Sequence, residues 1–358
     1  MNIRKFYLII TSILTSFLFV SGVYLLYQIG TTSVVKSDAG NKNPSGFVDH
    51  IIQPFVVDKG PVNILLLGGD KVAGNTDSMM VINFNPDTAK INILSIPRDT
   101  RVKIKGLGYA KVNAAYPKGG QDLAIETVTN FLGTCIQYYV YVDTAAFRKI
   151  VDILDGVDYY VPVDMNYDDP YQNLHIHLKK GQQHLNGKKA EQFMRFRHPN
   201  NYTKEIRKYY DGSDLKRIEA QQSFIKELIR QKTSLKYMTK INDIIDEVFK
   251  NIETNITLSD ALKLSTNINK IDVNQVEMLK VPCKSEPVIN GVWYYLPDRE
   301  KTKEIVEQYI KSDLGTAPSD YNTSDDDDIE AGKSAKSYTK NNPSNKEAVI
   351  KGSSTPRP

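Results

Sequence analysis

The hydrophobic pattern divides the chain into an apolar N-terminal segment, a mixed central part and a polar C-terminal end. Residues 6–28 are mostly Ile, Leu, Phe, Val and Tyr and carry no charge. As a helix, a segment of this length rises about 35 Å, which is enough to cross the hydrocarbon core of a bilayer. Arg4 and Lys5 precede it, and this charge bias predicts residues 1–5 inside the cell and the rest of the chain outside.

A cleaved signal peptide is the alternative explanation of this segment. The apolar run is longer than a typical signal-peptide core, and no clear small-x-small cleavage site follows it closely. We therefore predict one uncleaved transmembrane helix at 6–28, an extracellular stalk at 29–58 and an extracellular domain at 59–313. Residues 314–358 contain "SDDDDIE" and few apolar positions, which predicts a disordered polar tail.

The central part alternates apolar runs with helical patterns. "VNILLLGGD", "SMMVINFNP" and "KINILSIP" are typical of buried strands, and "YYVYVD" and "VDYYVPV" predict two more. Helices are predicted at 120–132, 144–154 and 214–232, with Asp214 as the N-cap of the last one. Alternating strands and helices predict a layered α/β/α domain with a central mixed β-sheet.

Charge is unevenly distributed although the net charge is only +4. Lys and Arg outnumber Asp and Glu over residues 179–236, and this excess would attract an anionic ligand. Nucleic acid is a poor candidate, because the predicted topology places this stretch outside the cell. Cys135 and Cys283 do not make a disulfide framework, and their spacing leaves open whether they pair.

Several charged residues follow or precede the predicted strands. Asp70 follows a buried strand and a Gly-Gly turn, and Asp77 precedes the next strand, so both carboxylates could bind one divalent cation. On spacing alone, ordinary turn residues are the preferred interpretation. Arg98 lies just past a strand, where α/β domains place ligands, although an exposed Arg98–Asp99 pair is the alternative. Lys111 shares one side of an extended segment with Asn113, unless it is merely exposed.

Two arginines lie one residue apart in "EQFMRFRH". If the chain is extended there, Arg195 and Arg197 point to one side, and an anion would offset their repulsion. Arg217 lies three residues after Asp214 at a helix start, a position that favours phosphate.

His175 and His177 share one face of a predicted strand and could bind zinc. We see no third ligand nearby in the sequence, so two polar positions on a solvated face are the preferred interpretation.

Taken in order, these motifs resemble the LytR-CpsA-Psr family of cell-wall enzymes. The resemblance covers residues 62–232 and includes "NILLLGGD", "ILSIPRDTRVKI", "KVNAAYPKGG" and "SDLKRIEAQQ". It implies a membrane-anchored, Gram-positive phosphotransferase with an extracellular catalytic domain. Such an enzyme takes an anionic or capsular glycopolymer from an undecaprenyl-pyrophosphate carrier and attaches it to a peptidoglycan muramyl hydroxyl as a phosphodiester. The partners implied are that lipid-linked polymer, peptidoglycan and membrane lipid.

The resemblance also implies roles for individual residues. It gives Asp70 and Asp77 the binding of Mg²⁺, with Mn²⁺ as an alternative, and leaves room for a pyrophosphatase side activity. Asp214 would orient or deprotonate the acceptor hydroxyl. Five basic residues would hold the pyrophosphate: Arg98, Arg195, Arg197, Arg217 and Lys111. The catalytic residues implied are Arg98, Arg195, Arg197 and Asp214. The alternative function is a non-catalytic wall-polymer-binding or regulatory membrane protein.

Overall fold

The structure, a computed structural model, describes residues 60–69, 76–170, 174–233, 237 and 241–311. The predicted membrane span, the stalk and the polar tail lie outside these residues, and so does Asp70. Among the described helices, we find none that is both long enough and apolar enough to cross a bilayer.

The described part of the chain alternates strands and helices, as the hydrophobic pattern predicts. In chain order the elements are β1 (Val62–Gly69), β2 (Thr76–Asn85), β3 (Lys90–Ser95), β4 (Arg101–Ile104), β5 (Gly108–Lys111), α1 (Ala115–Leu132), β6 (Tyr138–Asp143), α2 (Thr144–Ile153), β7 (Val157–Val161), β8 (Met165–Asp169), β9 (Leu174–Leu178), β10 (Gly181–Leu185), α3 (Gly187–Arg195), α4 (Ile206–Tyr209), α5 (Asp214–Lys232), α6 (Ile241–Phe249), β11 (Glu253–Thr254), α7 (Leu258–Ser265), β12 (Glu277–Lys280), β13 (Cys283–Ser285), β14 (Val288–Ile289), β15 (Val292–Trp293), β16 (Leu296–Pro297) and α8 (Arg299–Ile305), which continues as a π-helical turn over Val306–Ile310.

Six strands form one central sheet in the order β11-β6-β1-β2-β3-β12. Strand β2 is antiparallel to both β1 and β3, whereas β6 pairs with β1 and β12 pairs with β3 in parallel. The predicted mixed sheet is therefore confirmed. Because β1 and β2 form a hairpin, the end of β1 and the start of β2 lie at the same edge of the sheet.

Both faces of the sheet are covered, which is why β1 is a continuous apolar run. Leu65 and Leu67 contribute to the core shared with α1, whereas Ile64 and Leu66 pack against the core that contains Leu264 of α7. Successive strand side chains point to opposite faces, so one run of residues supplies both cores. This is the layered arrangement that the alternating pattern predicts.

A ladder of three buried asparagines connects the sheet to the C-terminal helix. Asn83 Nδ2 donates to Asn63 Oδ1 at 2.9 Å, and Asn92 lies opposite Asn83 on the next strand. Asn63 Nδ2 also donates to the carbonyl of Ile310, and Asn92 Nδ2 donates to that of Tyr309. Carbonyls at a helix C-terminus lack partners within the helix. The ladder therefore satisfies the end of the π-helical turn and fixes it on the sheet.

A second core lies beside the sheet and contains β7–β10 and helices α2 and α3. Phe193, Phe196 and Phe224 are all almost completely buried in it. The rings of Phe193 and Phe224 lie 5.9 Å apart, within the range for aromatic pairs. The phenylalanines that flank Arg195 therefore serve packing.

Some element boundaries differ from the sequence predictions. Helix α1 begins at Ala115 instead of residue 120 and is kinked where Gly119 and Gly120 leave helical dihedral angles. Ser213, not Asp214, is the N-cap of α5, because its side chain accepts a hydrogen bond from the Lys216 amide. Asp214 is instead the first residue of the helix.

Candidate functional site

Arg98 lies at the centre of a cluster of carboxylates. It follows β3, and its Nη1 donates to Asp77 Oδ1 at 2.7 Å. Its Nε lies 3.7 Å from Asp99 Oδ2 and 3.8 Å from Asp214 Oδ1. Three segments that are distant in sequence thus meet at one guanidinium: the start of β2, the loop after β3 and the start of α5.

The loop that carries Arg98 is held by backbone hydrogen bonds from a late part of the chain. The Tyr295 amide donates to the Asp99 carbonyl, and the Arg101 amide donates to the Tyr295 carbonyl, both at 2.9 Å. Tyr295 is itself fixed, because its buried hydroxyl donates to the carbonyl of Val281 at 2.7 Å. The position of Arg98 thus depends on residues about two hundred positions further along the chain.

The first turn of α5 contributes a buried ion pair. Arg217 Nη2 lies 2.6 Å from Asp214 Oδ1, and both side chains are at most one-tenth exposed. The same Arg217 nitrogen donates to the backbone carbonyl of Asp77 at 3.1 Å. Gln221, one turn later, donates to the Met194 carbonyl at 3.1 Å. Helix α5 is therefore fixed against β2 at one point and against α3 at another.

Burial and neighbouring charges act on the two arginines in different proportions. Burial lowers the pKa of Arg98, but Asp214, Asp77 and Asp99 outweigh burial and leave that pKa raised. Burial lowers the pKa of Arg217, and although Asp214 opposes this effect, Arg98 and Arg197 add to it. Both guanidiniums keep their charge at physiological pH. The opposite shifts arise because Arg217 is more deeply buried, whereas Arg98 faces three carboxylates.

Lys111 and Asp99 extend the cluster towards β5. Lys111 Nζ lies 2.6 Å from Asp99 Oδ1 and 6.0 Å from the centre of the Trp293 ring. Asp99 was considered in the sequence only as the partner of a surface Arg98–Asp99 pair. It is instead a buried residue that contacts both Arg98 and Lys111. Its position directly after Arg98 in "PRDT" is the feature of the sequence that could have identified it as part of the site.

Three polar atoms at the centre of the cluster have no hydrogen-bond partner among the described residues. They are Arg98 Nε, Arg217 Nε and Asp214 Oδ1, and each is buried. The 2.6 Å contact between Asp214 and Arg217 is an ion pair whose angles do not make a hydrogen bond. Buried polar atoms are ordinarily satisfied, so unpaired ones in a charged cluster indicate a place that binds a polar ligand.

Comparison with known proteins identifies the family of the chain. The profile of the LytR_cpsA_psr family matches residues 23–311, which is more of the chain than the motifs over 62–232. The chain belongs to the LytR-CpsA-Psr family. This confirms the resemblance that the sequence motifs indicate.

Two relatives in this family have been named for what they do. The chain is 30% identical over 304 residues to the polyisoprenyl-teichoic acid–peptidoglycan teichoic acid transferase TagV of Bacillus subtilis (strain 168), covering 81% of this chain and 74% of that protein. It is 35% identical over 246 residues to the corresponding transferase TagU of Bacillus anthracis, covering 67% of this chain and 76% of TagU.

Solved structures in the family share the fold. The crystal structure of Bacillus subtilis TagV aligns with a TM-score of 0.60 at 31% identity, covering 70% of this chain and 98% of that one. A structure described as TagT bound to LIIa-WTA aligns with a TM-score of 0.55 at 27% identity, covering 72% of this chain and 92% of that one. The mixed α/β architecture around the central sheet is therefore that of the family.

The arginine pair that the family resemblance assigns to pyrophosphate is not arranged as the sequence suggested. We expected an extended chain with Arg195 and Arg197 on one side, and this is wrong, because Arg195 is the last residue of α3 and the extended backbone begins only at Phe196. Arg195 forms an ion pair with Glu191 at 3.0 Å. Arg197 Nε donates to the Gly212 carbonyl at 2.8 Å.

Arg197 is therefore the member of this pair that the described contacts connect to the cluster. Its charge lowers the pKa of Arg217, and its Gly212 contact lies beside the start of α5. Arg195 instead pairs with Glu191, one turn earlier on the same face of α3, and Glu191 also binds Arg148 at 2.9 Å. The described contacts do not connect Arg195 to the Arg98 cluster, and its catalytic role stays a prediction.

A divalent cation is compatible with the residues that the structure describes. Asp77 is the second residue of β2 rather than preceding it, and its side chain is 54% exposed. Carboxylate oxygens are the ligands that Mg²⁺ prefers. Of the two residues to which the resemblance assigns the ion, Asp77 offers an accessible carboxylate and Asp70 lies outside the described residues, so the Mg²⁺ site stays a prediction.

The two cysteines are free thiols in the structure. Burial raises the pKa of both, that of Cys283 to about 11 with a further contribution from Glu286. The open question of pairing is thus answered against a disulfide, and thiols of this kind are inert.

Proposed function

We propose that this protein is a membrane-anchored phosphotransferase that attaches an anionic or capsular glycopolymer to peptidoglycan on the outside of the cell. The donor is an undecaprenyl-pyrophosphate-linked polymer, and the acceptor is a muramyl hydroxyl. In the reaction the acceptor oxygen forms a new bond to the phosphorus that carries the polymer. The bond between this phosphorus and the bridging oxygen breaks, and undecaprenyl phosphate leaves with that oxygen. The product is a phosphodiester.

The observation that carries this proposal is the group of cations around Arg98 and Arg217 with unpaired buried atoms at its centre. The buried N–H donors at Arg98 Nε and Arg217 Nε have no hydrogen-bond acceptor among the described residues. Pyrophosphate offers many oxygen acceptors, and guanidinium forks match phosphate geometry. Phosphoryl transfer needs chiefly positioning and the spreading of negative charge. A preorganised set of arginines supplies both.

The individual residues divide this work. Arg98, Arg217 and Arg197 bind the phosphate oxygens, and Lys111 contributes a further positive charge through its contact with Asp99. Asp214, held by Arg217 and facing Arg98, accepts the hydrogen of the acceptor hydroxyl and so orients or deprotonates it. Arg195 is retained as a candidate that binds the same substrate once Glu191 releases it.

Mg²⁺, or Mn²⁺ in its place, would be held by Asp77 and Asp70. Bound there, the ion would neutralise charge on the transferred phosphate. Asp77 would then bind the ion instead of Arg98, and the Arg98 guanidinium would be free to bind the substrate.

The test is polymer transfer by the full-length protein in detergent. The substrates are a polyprenyl-pyrophosphate-linked glycopolymer and peptidoglycan, and the product is measured as wall-bound phosphodiester. We expect Arg98→Gln to lower the rate about 10²–10³-fold, as removal of one preorganised donor does elsewhere. Chelation should abolish transfer, and Mg²⁺ should restore it in the wild type but not in Asp77→Asn.

Arg230→Gln is the matched control, because Arg230 lies on the same helix as Arg217, is exposed and contacts Glu227. This variant should transfer polymer at the wild-type rate. If Arg98→Gln also did so with its fold intact, the guanidinium cluster would not be the site. Salt-sensitive polymer binding without transfer, unaffected by chelation, would instead support a non-catalytic wall-polymer-binding protein.

A further inference from the structure

A second group of potential ligands lies on the hairpin of β8 and β9. No third ligand for the histidine pair is evident in the sequence, but in the structure Asp168 of the preceding strand lies beside both rings. Asp168 Oδ1 is 2.6 Å from His175 Nδ1 and 3.2 Å from His177 Nε2. One ligand atom from each of the three residues lies within 4.8 Å of the others.

The hairpin register explains why these three side chains converge. Asp168 is opposite His175, and Asn166 is opposite His177, in an antiparallel pair. Residues two apart on a strand share a face, so all four side chains project from the same face of the hairpin. The spacing "HIH" is thus completed by "NYD" on the neighbouring strand, a match that only strand pairing reveals.

The opposite face of the hairpin is buried, which fixes the orientation of this outer face. Leu174, Ile176 and Leu178 of β9 are each at most 9% exposed and pack in the second core. A one-residue slip in register would move these apolar side chains into water. The outward positions of His175 and His177 are therefore determined by the core and not by their own contacts.

The backbone around Asp168 is also held on both sides. Its amide donates to Asn200 Oδ1 at 2.7 Å, and its carbonyl accepts from Asn200 Nδ2 at 3.2 Å. The His177 amide lies 3.4 Å from Gln192 Oε1 on α3. Each strand of the hairpin is thus fixed to a different neighbouring segment, so the ligand backbone is preorganised.

We propose that Asp168, His175 and His177 bind one transition-metal ion, with Zn²⁺ as the preferred ion, at a surface site separate from the Arg98 cluster. Two imidazole nitrogens and one carboxylate oxygen make a ligand set typical of zinc. Water completes the coordination, and the side-chain oxygen of Asn166, 3.5 Å from His177 Nδ1, lies beside the ring nitrogen that does not bind the ion. The ion joins the two strands of the hairpin.

The observed distances are close to those that zinc requires. Tetrahedral ligands at the usual Zn–N distance are about 3.3 Å apart. The His177–Asp168 contact at 3.2 Å already has this spacing. The shorter His175–Asp168 contact must open by about 0.7 Å to admit the ion. All three side chains are about half exposed, so a small rotation of the side chains achieves this.

Preference for Zn²⁺ over Mg²⁺ follows from the nitrogen ligands. Mg²⁺ favours oxygen donors and octahedral geometry, whereas imidazole suits zinc and other transition metals. The ion that the transferase reaction needs and the ion at this hairpin therefore differ, and each can be varied without the other. The proposal is independent of the proposed transferase function.

The experiment is Zn²⁺ binding by the full-length protein in detergent, with any polyhistidine tag removed. Equilibrium dialysis against ZnCl₂ with excess Mg²⁺ measures the stoichiometry and affinity. Co²⁺ in place of Zn²⁺ reports the ligand geometry by its visible absorption. We expect one Zn²⁺ per chain that excess Mg²⁺ does not displace. His175→Gln, His177→Gln and Asp168→Asn should each weaken binding at least tenfold, with unchanged circular dichroism.

His184 provides a matched control within the chain. It is an exposed histidine on a strand, and its Nδ1 lies 2.8 Å from Asp158 Oδ1, but the described residues place no second histidine beside this pair. His184→Gln should leave the affinity for Zn²⁺ unchanged. The proposal is overturned if the double variant at His175 and His177 binds Zn²⁺ as tightly as the wild type, or if His184→Gln weakens binding to the same extent.

Discussion

Removal of the Arg217 side chain tests the physical argument for the site most directly. Arg217 is one-tenth exposed and is the closest cation to Asp214, at 2.6 Å, whereas the next, Arg98, is 3.8 Å away. In Arg217→Met the Asp214 carboxylate stays buried with only the more distant guanidinium. Breaking one partner of a buried ion pair costs about 3–5 kcal/mol. Because Arg98 remains, we expect the lower end of that range, about 3 kcal/mol.

The double variant separates loss of packing from loss of charge pairing. Asp214→Asn keeps the shape of the side chain and removes its charge. If the cost in Arg217→Met arises from an uncompensated carboxylate, adding Asp214→Asn should recover part of the lost stability. A coupling of about 1–3 kcal/mol is expected for residues in direct contact. Arg217→Lys keeps the charge but not the planar fork, so its stability should lie between those of the wild type and Arg217→Met.

Urea unfolding followed by circular dichroism measures these free energies on the full-length protein. For a domain of this size, a loss of about 3 kcal/mol corresponds to a decrease in Tm of roughly 6–12 °C. A loss below about 1 kcal/mol in Arg217→Met, or additive effects in the double variant, would refute the argument. The pair would then be an ordinary solvent-screened contact, and the case for a desolvated anion site would fail with it.

Two further predictions concern packing and thiol chemistry. A side chain at Gly187 would place Cβ 2.1 Å from the carbonyl oxygen of Arg148, so Gly187→Ala should destabilise the protein by about 1–3 kcal/mol in urea unfolding. Lys188→Ala, at an exposed neighbour, should change stability little, and equal effects would exclude a close contact between α2 and α3. The pKa of Cys283 is raised to about 11 by burial, so at pH 8 its reactive thiolate is scarce in the folded state. Alkylation at pH 8 should be at least tenfold slower than in urea, and equal rates would show that the thiol is not shielded.

The helix at 214–232 shows how far a local pattern reaches. Its bounds agree with the prediction, in which apolar residues such as Ile218 and Ile225 recur on one side of the helix as an apolar stripe. Gln222, which interrupts that stripe, donates to the Ser95 hydroxyl and to the Leu279 carbonyl. Such a polar position is explained only when strands β3 and β12 are known to lie beneath it. The helical periodicity can be recognised from neighbouring residues, but the strands that contact one face of the helix cannot.

The candidate site shows the same division. Arg98, Lys111, Asp214 and Arg217 were identified from motifs. The structure brings them together with Arg98 between Asp99, which contacts Lys111, and Asp214, which contacts Arg217. The motifs did not reveal that Arg195 ends a helix, because the turn that follows depends on how Phe196 packs into the second core. A buried phenylalanine fixed the backbone at this point, and it turned the two arginines towards different partners.

By itself, the sequence determined the alternation of strands and helices, the family, the basic character of the central part and the residue types that recognise phosphate. These follow from local periodicity and from motifs in a fixed order, which need no knowledge of contacts. The tertiary structure alone decided which charges meet. It joined Asp77, Asp99 and Asp214 at one guanidinium, and it placed Asp168 beside two histidines across a hairpin. Convergence of this kind depends on strand register and on packing between distant segments, and neither is written in any single stretch of the chain.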